Sequence, residues 1–225
     1  MILIEDLHQL FDLVIDNVSS PYFTSSQKDE FLRRGIQNYL NKYFNRQPDG
    51  HNAETTSNDV ANIEDLIEGV ELLTNNQGEL LFVDIEAALG NRKVFRYLTV
   101  EAKDLDECDN YTKSRFVRHN DWISNQLNQF KKATDMFPTH RYFNGRLQVD
   151  PKEARAMRLT VVLQPLPVTL DDPTDSGVRG PNAIDAEFDQ SALNEIVYLS
   201  LSMAGVSIRE GDFYQLVERE GTKNE

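Results

Sequence analysis

The chain has 225 residues, with 37 Asp and Glu against 23 Lys and Arg, giving a formal charge of −14. A surface this acidic is repelled by nucleic-acid phosphates unless its basic residues gather on one face, and the pairs Arg33–Arg34 and Lys131–Lys132 are too small to make one. The single cysteine, Cys108, excludes an intrachain disulfide. The opening MILIEDLHQLFDLVIDN carries Glu5, Asp6 and Asp12 where a signal peptide needs basic residues, and no run approaches the roughly 20 apolar residues of a membrane span. The chain is therefore expected to be made in the cytoplasm, with no membrane partner, and its length suits one domain over 1–225.

Leu3, Leu7, Leu10, Phe11, Val14, Ile15 and Val18 recur at helical spacing and predict an amphipathic helix over 3–18. SSPYFTSS (19–26) ends it and offers two caps for the next helix, Thr24 with Gln27 or Ser26 with Asp29. Leu32, Ile36, Tyr39, Leu40 and Tyr43 form the apolar stripe of that second helix. Gly35 weakens it slightly and marks a place where another backbone comes close. NRQPDGHNAETTSND (45–59) reads as a polar loop, and Ile63, Leu66, Ile67 and Val70 predict a third helix near 60–73. LLFVDI (80–85) is either a short strand or the entry to a helical turn ending at Gly90, and KVFRYLTVEAK (93–103) is a strand.

After the acidic loop DLDECDNY (104–111), RHNDWISNQLNQFKKATDMF predicts a helix capped by Asn120 or Asp121, with Trp122, Ile123, Leu127 and Phe130 buried. RYF and RLQV flank Asn144–Gly145, a hairpin turn in which both central positions need positive φ. DPKEARA (150–156) turns the chain into the strand MRLTVVLQ (157–164), which Pro165 and Pro167 end. DDPTDSGVRGPNAID (171–185) reads as a second flexible loop. Leu193, Ile196, Val197, Leu201 and Ala204 then predict a helix capped by Ser191 and stopped by Gly205, and EGDFYQLVEREGTKNE predicts a last short helix and a charged tail. The expected class is α+β: an N-terminal helix pair plus a C-terminal helix, with a small antiparallel sheet or hairpin.

Little of this sequence points to catalysis. His8, His51, His119 and His140 share no metal-ligand spacing and read as scattered surface or capping residues; neither metal nor cofactor is expected. One enzyme pattern competes. Asp84 upstream of an apolar strand ending in Glu101-x-Lys103 resembles the restriction-endonuclease-like nucleases, where alternate strand positions turn a carboxylate and a lysine to one face around Mg²⁺. Phe137, Tyr142 and Phe143 could stack on bases, but only Arg141 and Arg146 flank them, so packing in a core or an interface fits them better. A regulatory binding module is a third reading, without a partner groove to point to.

FLRRGIQNYLNKYF, then RHNDW, FPTHRYFNGRLQVDP, a strand into LQPLP, and finally NEIVYLSLSMAGV and GDFYQLVE follow a familiar order over about residues 5–217. This order resembles the small virion proteins that form rings below the portal of tailed bacteriophages, especially those of crAss-like phages. The acidic loop 104–111 and the length of loop 45–59 depart from the family pattern. The resemblance implies a non-enzymatic head–tail connector (ring or adaptor) subunit. It would form a homo-oligomeric ring, a dodecamer like the portal it stacks on, and touch other tail or ring proteins. DNA would slide past an acidic wall without tight phosphate contacts. The residues expected to dock onto neighbours are Arg141, Tyr142, Phe143, Asn144, Gly145, Phe213 and Tyr214.

Overall fold

The computed structural model describes residues 2–18, 22–45, 63–75, 77–103, 111–134, 136–152 and 156–206, with Asp212, Phe213, Gln215 and Glu218 beyond them. The loop predicted at 45–59 past Asn45, Cys108 with residues 104–110, His51, Tyr214 and most of the last predicted helix lie outside the described residues. Five α-helices are seen among them: α1 (Ile4–Val18), α2 (Ser25–Asn45), α3 (Phe82–Ala88), α4 (His119–Leu127) and α5 (Leu193–Met203). The strands are β1 (Ile67–Leu73), β2 (Glu79–Leu81), β3 (Val94–Lys103), β4 (Thr112–Lys113), β5 (Arg115–Phe116), β6 (Thr139–Phe143), β7 (Arg146–Asp150) and β8 (Ala156–Leu163). The fold is α+β, as the element pattern predicts. The chain is organised as two compact units, one of Met1–Asp65 with Pro165–Glu225 and one of Leu66–Gln164.

The helical unit holds α1, α2 and α5. Leu7, Phe11 and Val14 of α1, Leu32, Ile36, Tyr39 and Leu40 of α2, and Ile196, Val197 and Leu201 of α5 are all buried. The predicted capping box starts α2: the Thr24 N–H donates to Gln27 Oε1 (3.0 Å) and the Gln27 N–H to Thr24 Oγ1 (3.4 Å). Gly35 does mark a close approach. A Cβ there would lie 1.9 Å from Ser200 Oγ and 2.9 Å from the Ile196 carbonyl oxygen. Asp189, not Ser191, caps the turn leading into α5: its carboxylate accepts from the Ser191 N–H.

The segment 171–185 is irregular chain, as its composition predicts. Its polar side chains supply the bonds that apolar packing does not. Asp172 accepts from the Thr174 and Gly177 N–H groups, and Asp175 from the Ser25 N–H at the start of α2 (2.5 Å). Arg179 bridges Glu5 of α1 (2.9 Å) and Asp185 (2.7 Å). Although partial desolvation opposes it, these donors draw the Asp172 carboxyl down to about 2.

The sheet unit is larger than the small sheet expected. One sheet has the order β1–β8–β3–β4 and is antiparallel throughout; the other, β2–β7–β6–β5, contains a parallel pair, β5 with β6. Their inward faces share one core with α3: Leu80, Leu147 and Val149 from one sheet, Val100, Met157, Leu159 and Val161 from the other, and Ile85 and Leu89 from the helical turn. LLFVDI holds both alternatives in succession, β2 and then α3, with Gly90 at φ +68° just beyond. The helix expected near 60–73 is instead a short 3₁₀ turn, Glu64–Leu66, followed by β1. Val70 and Leu72 of β1 pair with Leu159 and Met157 of β8 and pack on the core, so sheet pairing overrides a helical spacing only three or four contacts long. The hairpin forms as predicted, with Asn144 at φ +47° and Gly145 at φ +70° between β6 and β7.

Candidate functional site

The three residues of the nuclease pattern are not brought together. Val100 and Ala102 of β3 point into the core, so alternation turns Glu101 and Lys103 to the opposite face of the sheet. There Glu101 lies opposite Arg158, and Lys103 Nζ and the Arg158 guanidinium stand 5.7 and 4.1 Å from the centre of the Tyr111 ring. Asp84 is exposed on α3, whose Ile85 and Leu89 enter the core from its inner side. Among the described residues no group of three His, Cys, Asp or Glu side chains could hold a metal ion.

The expected docking residues of β6 divide between two faces, as a period of two requires. Tyr142 faces inward with His140. Its ring stacks on Tyr97 (5.0 Å) and Phe116 (5.6 Å), and Phe82 completes the group. Burial raises the hydroxyls of both tyrosines, that of Tyr97 to about 12 with Glu86 adding to the effect. Arg141 and Phe143 face outward. The Arg141 guanidinium covers the rings of Trp122 (4.6 Å) and Phe143 (5.0 Å), and its Nε donates to Gln148 Oε1 at 2.7 Å. His119 stacks flat on Phe143 at 4.6 Å. Beside them Glu79 accepts from Arg146 (2.9 Å) and from Gln148; burial opposes its charge, but these bonds outweigh it and hold the carboxyl below its usual range. Arg141 thus clamps α4 onto β6 and does not stand free for a neighbour. Phe213 is fully buried with its ring 5.5 Å from Tyr198, so its own chain takes it up.

Two histidines read as surface residues are buried structural groups. His8 Nε2 lies 2.8 Å from Asp29 Oδ1, and that carboxylate also accepts from the Thr169 hydroxyl and the Leu170 N–H. Asp29 lines a polar cleft of about 480 Å³ with Glu30, Arg33, Asp171 and Asp172, but its bonding capacity is spent on its own chain. His140 sits between the sheets. The Ser114 hydroxyl donates to the Val100 carbonyl (2.8 Å), so His140 Nδ1, 2.6 Å from Ser114 Oγ, carries the ring proton. Burial pushes His140 down to about 4, so the imidazole is neutral. This pair braces β3 against β6.

The surface that sequence reasoning missed begins at α4. The N-cap position is Arg118, not Asn120 or Asp121, and no side chain caps the helix. Of the four residues expected to be buried, only Trp122 is. Ile123 is 66% exposed, Leu127 83% and Phe130 97%; Met136 and Phe137 follow at 77% and 75%. Helical spacing does not tell which of two adjacent stripes faces inward, and the Trp122 stripe is the one Arg141 holds. Five basic residues of the same stretch of chain, Lys113, Arg115, Arg118, Lys131 and Lys132, are exposed as well. No protein-family model matches this chain, and no curated protein matches it.

Proposed function

We propose that this chain is a structural subunit of a multi-copy ring in the head–tail connector of a tailed phage, stacked below the portal and carried in the virion. The observation that carries the reading is the run of exposed apolar side chains from Ile123 to Phe137. Large apolar groups left in water at this density mark a surface that another macromolecule covers. The order of motifs from FLRRGIQNYLNKYF to GDFYQLVE adds its resemblance to ring proteins. The acidic balance of the chain supports a role beside DNA that must pass without adhering. The separation of Asp84 from Glu101 and Lys103 takes away the geometry that a nuclease reading needs.

The test is electron microscopy of the purified chain in negative stain, paired with a DNA-nicking assay in Mg²⁺. Closed rings and intact DNA are expected. Magnesium-dependent cleavage that is lost in Glu101→Ala/Lys103→Ala would replace the structural reading with an enzymatic one.

A further inference from the structure

We infer that the basic, apolar surface running from Lys113 to Phe137 docks onto the helical unit of a second copy of this chain, head to tail. The inference rests on the ring reading and adds to it which surfaces meet.

Charge comes first. Between Lys113 and Phe137 the sequence has five Lys and Arg and two acids, Asp121 and Asp135, in a chain whose net charge is −14. The acidity is therefore concentrated elsewhere. Helix α1 carries Glu5, Asp6, Asp12 and Asp16 and no Lys or Arg. The stretch from Pro165 to Val206 carries seven carboxylates and one basic residue, Arg179. Helix α2 of the same unit carries Lys28, Arg33, Arg34 and Lys42 against Asp29 and Glu30, so the acidic excess lies on α1 and the 165–206 stretch, and the basic excess on the 113–132 stretch. Complementary potentials of this kind steer and orient association.

Next comes chemistry. Leu127 and Phe130 stand almost wholly in water, with Lys131 and Lys132 directly after them. An apolar centre with a charged rim is the anatomy of a protein–protein contact. Duplex DNA fits less well, because its phosphates offer nothing to cover the bare side chains of Ile123, Leu127, Phe130, Met136 and Phe137, and the acidic body of the protein repels them. Two unlike surfaces that meet make a heterologous contact, and a closing rotation turns such contacts into a ring. A self-complementary dimer through this surface would instead set five basic residues against five.

Sedimentation velocity over a range of concentration and salt tests this on the full chain. Leu127→Ser/Phe130→Ser should stay monomeric where the wild type assembles, while melting at the same temperature, because both side chains are exposed. Lys131→Glu/Lys132→Glu should weaken assembly by about tenfold or more, and added salt should weaken the wild type in the same direction. Assembly of the Leu127/Phe130 variant at the wild-type concentration overturns the docking assignment while leaving a ring built through other surfaces. A wild type that is monomeric throughout overturns the copy-to-copy contact. In that case Phe130-dependent capture of duplex DNA or of anionic vesicles would identify what the surface binds instead. Whether the protein is present in virions decides the ring reading separately.

Discussion

Gly35 is dictated by what lies across the helix pair. The Ser200 hydroxyl, which donates to the Ile196 carbonyl at 2.7 Å, fills the space a Cβ would need. A hydroxyl can rotate away, but the carbonyl belongs to the α5 backbone and cannot. Gly35→Ala should therefore destabilise the fold by about 1–3 kcal/mol, read as a lower urea midpoint, and Ser200→Ala should relieve it only in part. An unchanged midpoint would mean that the two helices part at little cost. The glycine itself was legible in the sequence as a break in an apolar stripe, but its partner was not, because nothing in 225 letters pairs Gly35 with Ser200.

His140 gives a second expectation at this scale. Its folded value of about 4 lies below the 6.5 of an unfolded histidine. Between these values the unfolded chain takes up a proton that the folded chain refuses. Its contribution is thus fully present above pH 6.5, falls as pH drops toward 4 and is gone below, a change on the order of 3 kcal/mol. Urea midpoints measured from pH 7 to pH 4.5 should fall more steeply in the wild type than in His140→Gln. Parallel curves would place the burial of this ring in error.

At the scale of elements, local rules worked where one residue type had one reason to be there. Asn144–Gly145 has a conformational requirement that few other pairs meet, and the hairpin followed. Pro165 and Pro167 closed β8 for the same kind of reason. Where the pattern was shared by two structures, partners elsewhere decided. Ile63, Leu66, Ile67 and Val70 have helical spacing, yet the first two belong to the chain entering β1, and Val70 with Leu72 alternates against β8. In α4 the stripe of Ile123 and Leu127 is more apolar than that of Trp122, Asn125 and Gln126, yet Trp122 is the side chain buried, with the Arg141 guanidinium over its ring.

The segment 171–185 is irregular chain, as its composition predicts, and carries hydrogen bonds that composition does not reveal. Asp172 organises it by accepting from Thr174, Ser176 and Gly177. Limited proteolysis with mass mapping should leave wild-type 171–185 uncut while the chain is folded, and Asp172→Ala should open it to cleavage. Equal cutting of the two proteins would show that the carboxylate does not hold the turn.

For the whole molecule, helices and strands were legible as an α+β arrangement, but the extent of the sheets was not. The second sheet gains its fourth strand from β5, two residues long and paired in parallel with β6. The docking residues named from sequence share this fate: Arg141, Tyr142 and Phe143 lie where the hairpin puts them, yet they are engaged with their own chain. Asn144 and Gly145 of the hairpin turn are exposed, and the exposed large apolar residues come from the helix and turn just before β6. A net charge is also a single number for an uneven chain, with carboxylates in excess on α1 and over 165–206 and basic residues in excess over 113–132.

A ring subunit must be built into phage particles in many copies. Quantitative mass spectrometry of purified virions, with the portal as internal standard, decides this. The chain is expected in a fixed, near-equal ratio to the portal, resistant to a wash that removes loosely bound protein. Its absence from virions that contain the portal would overturn the ring proposal.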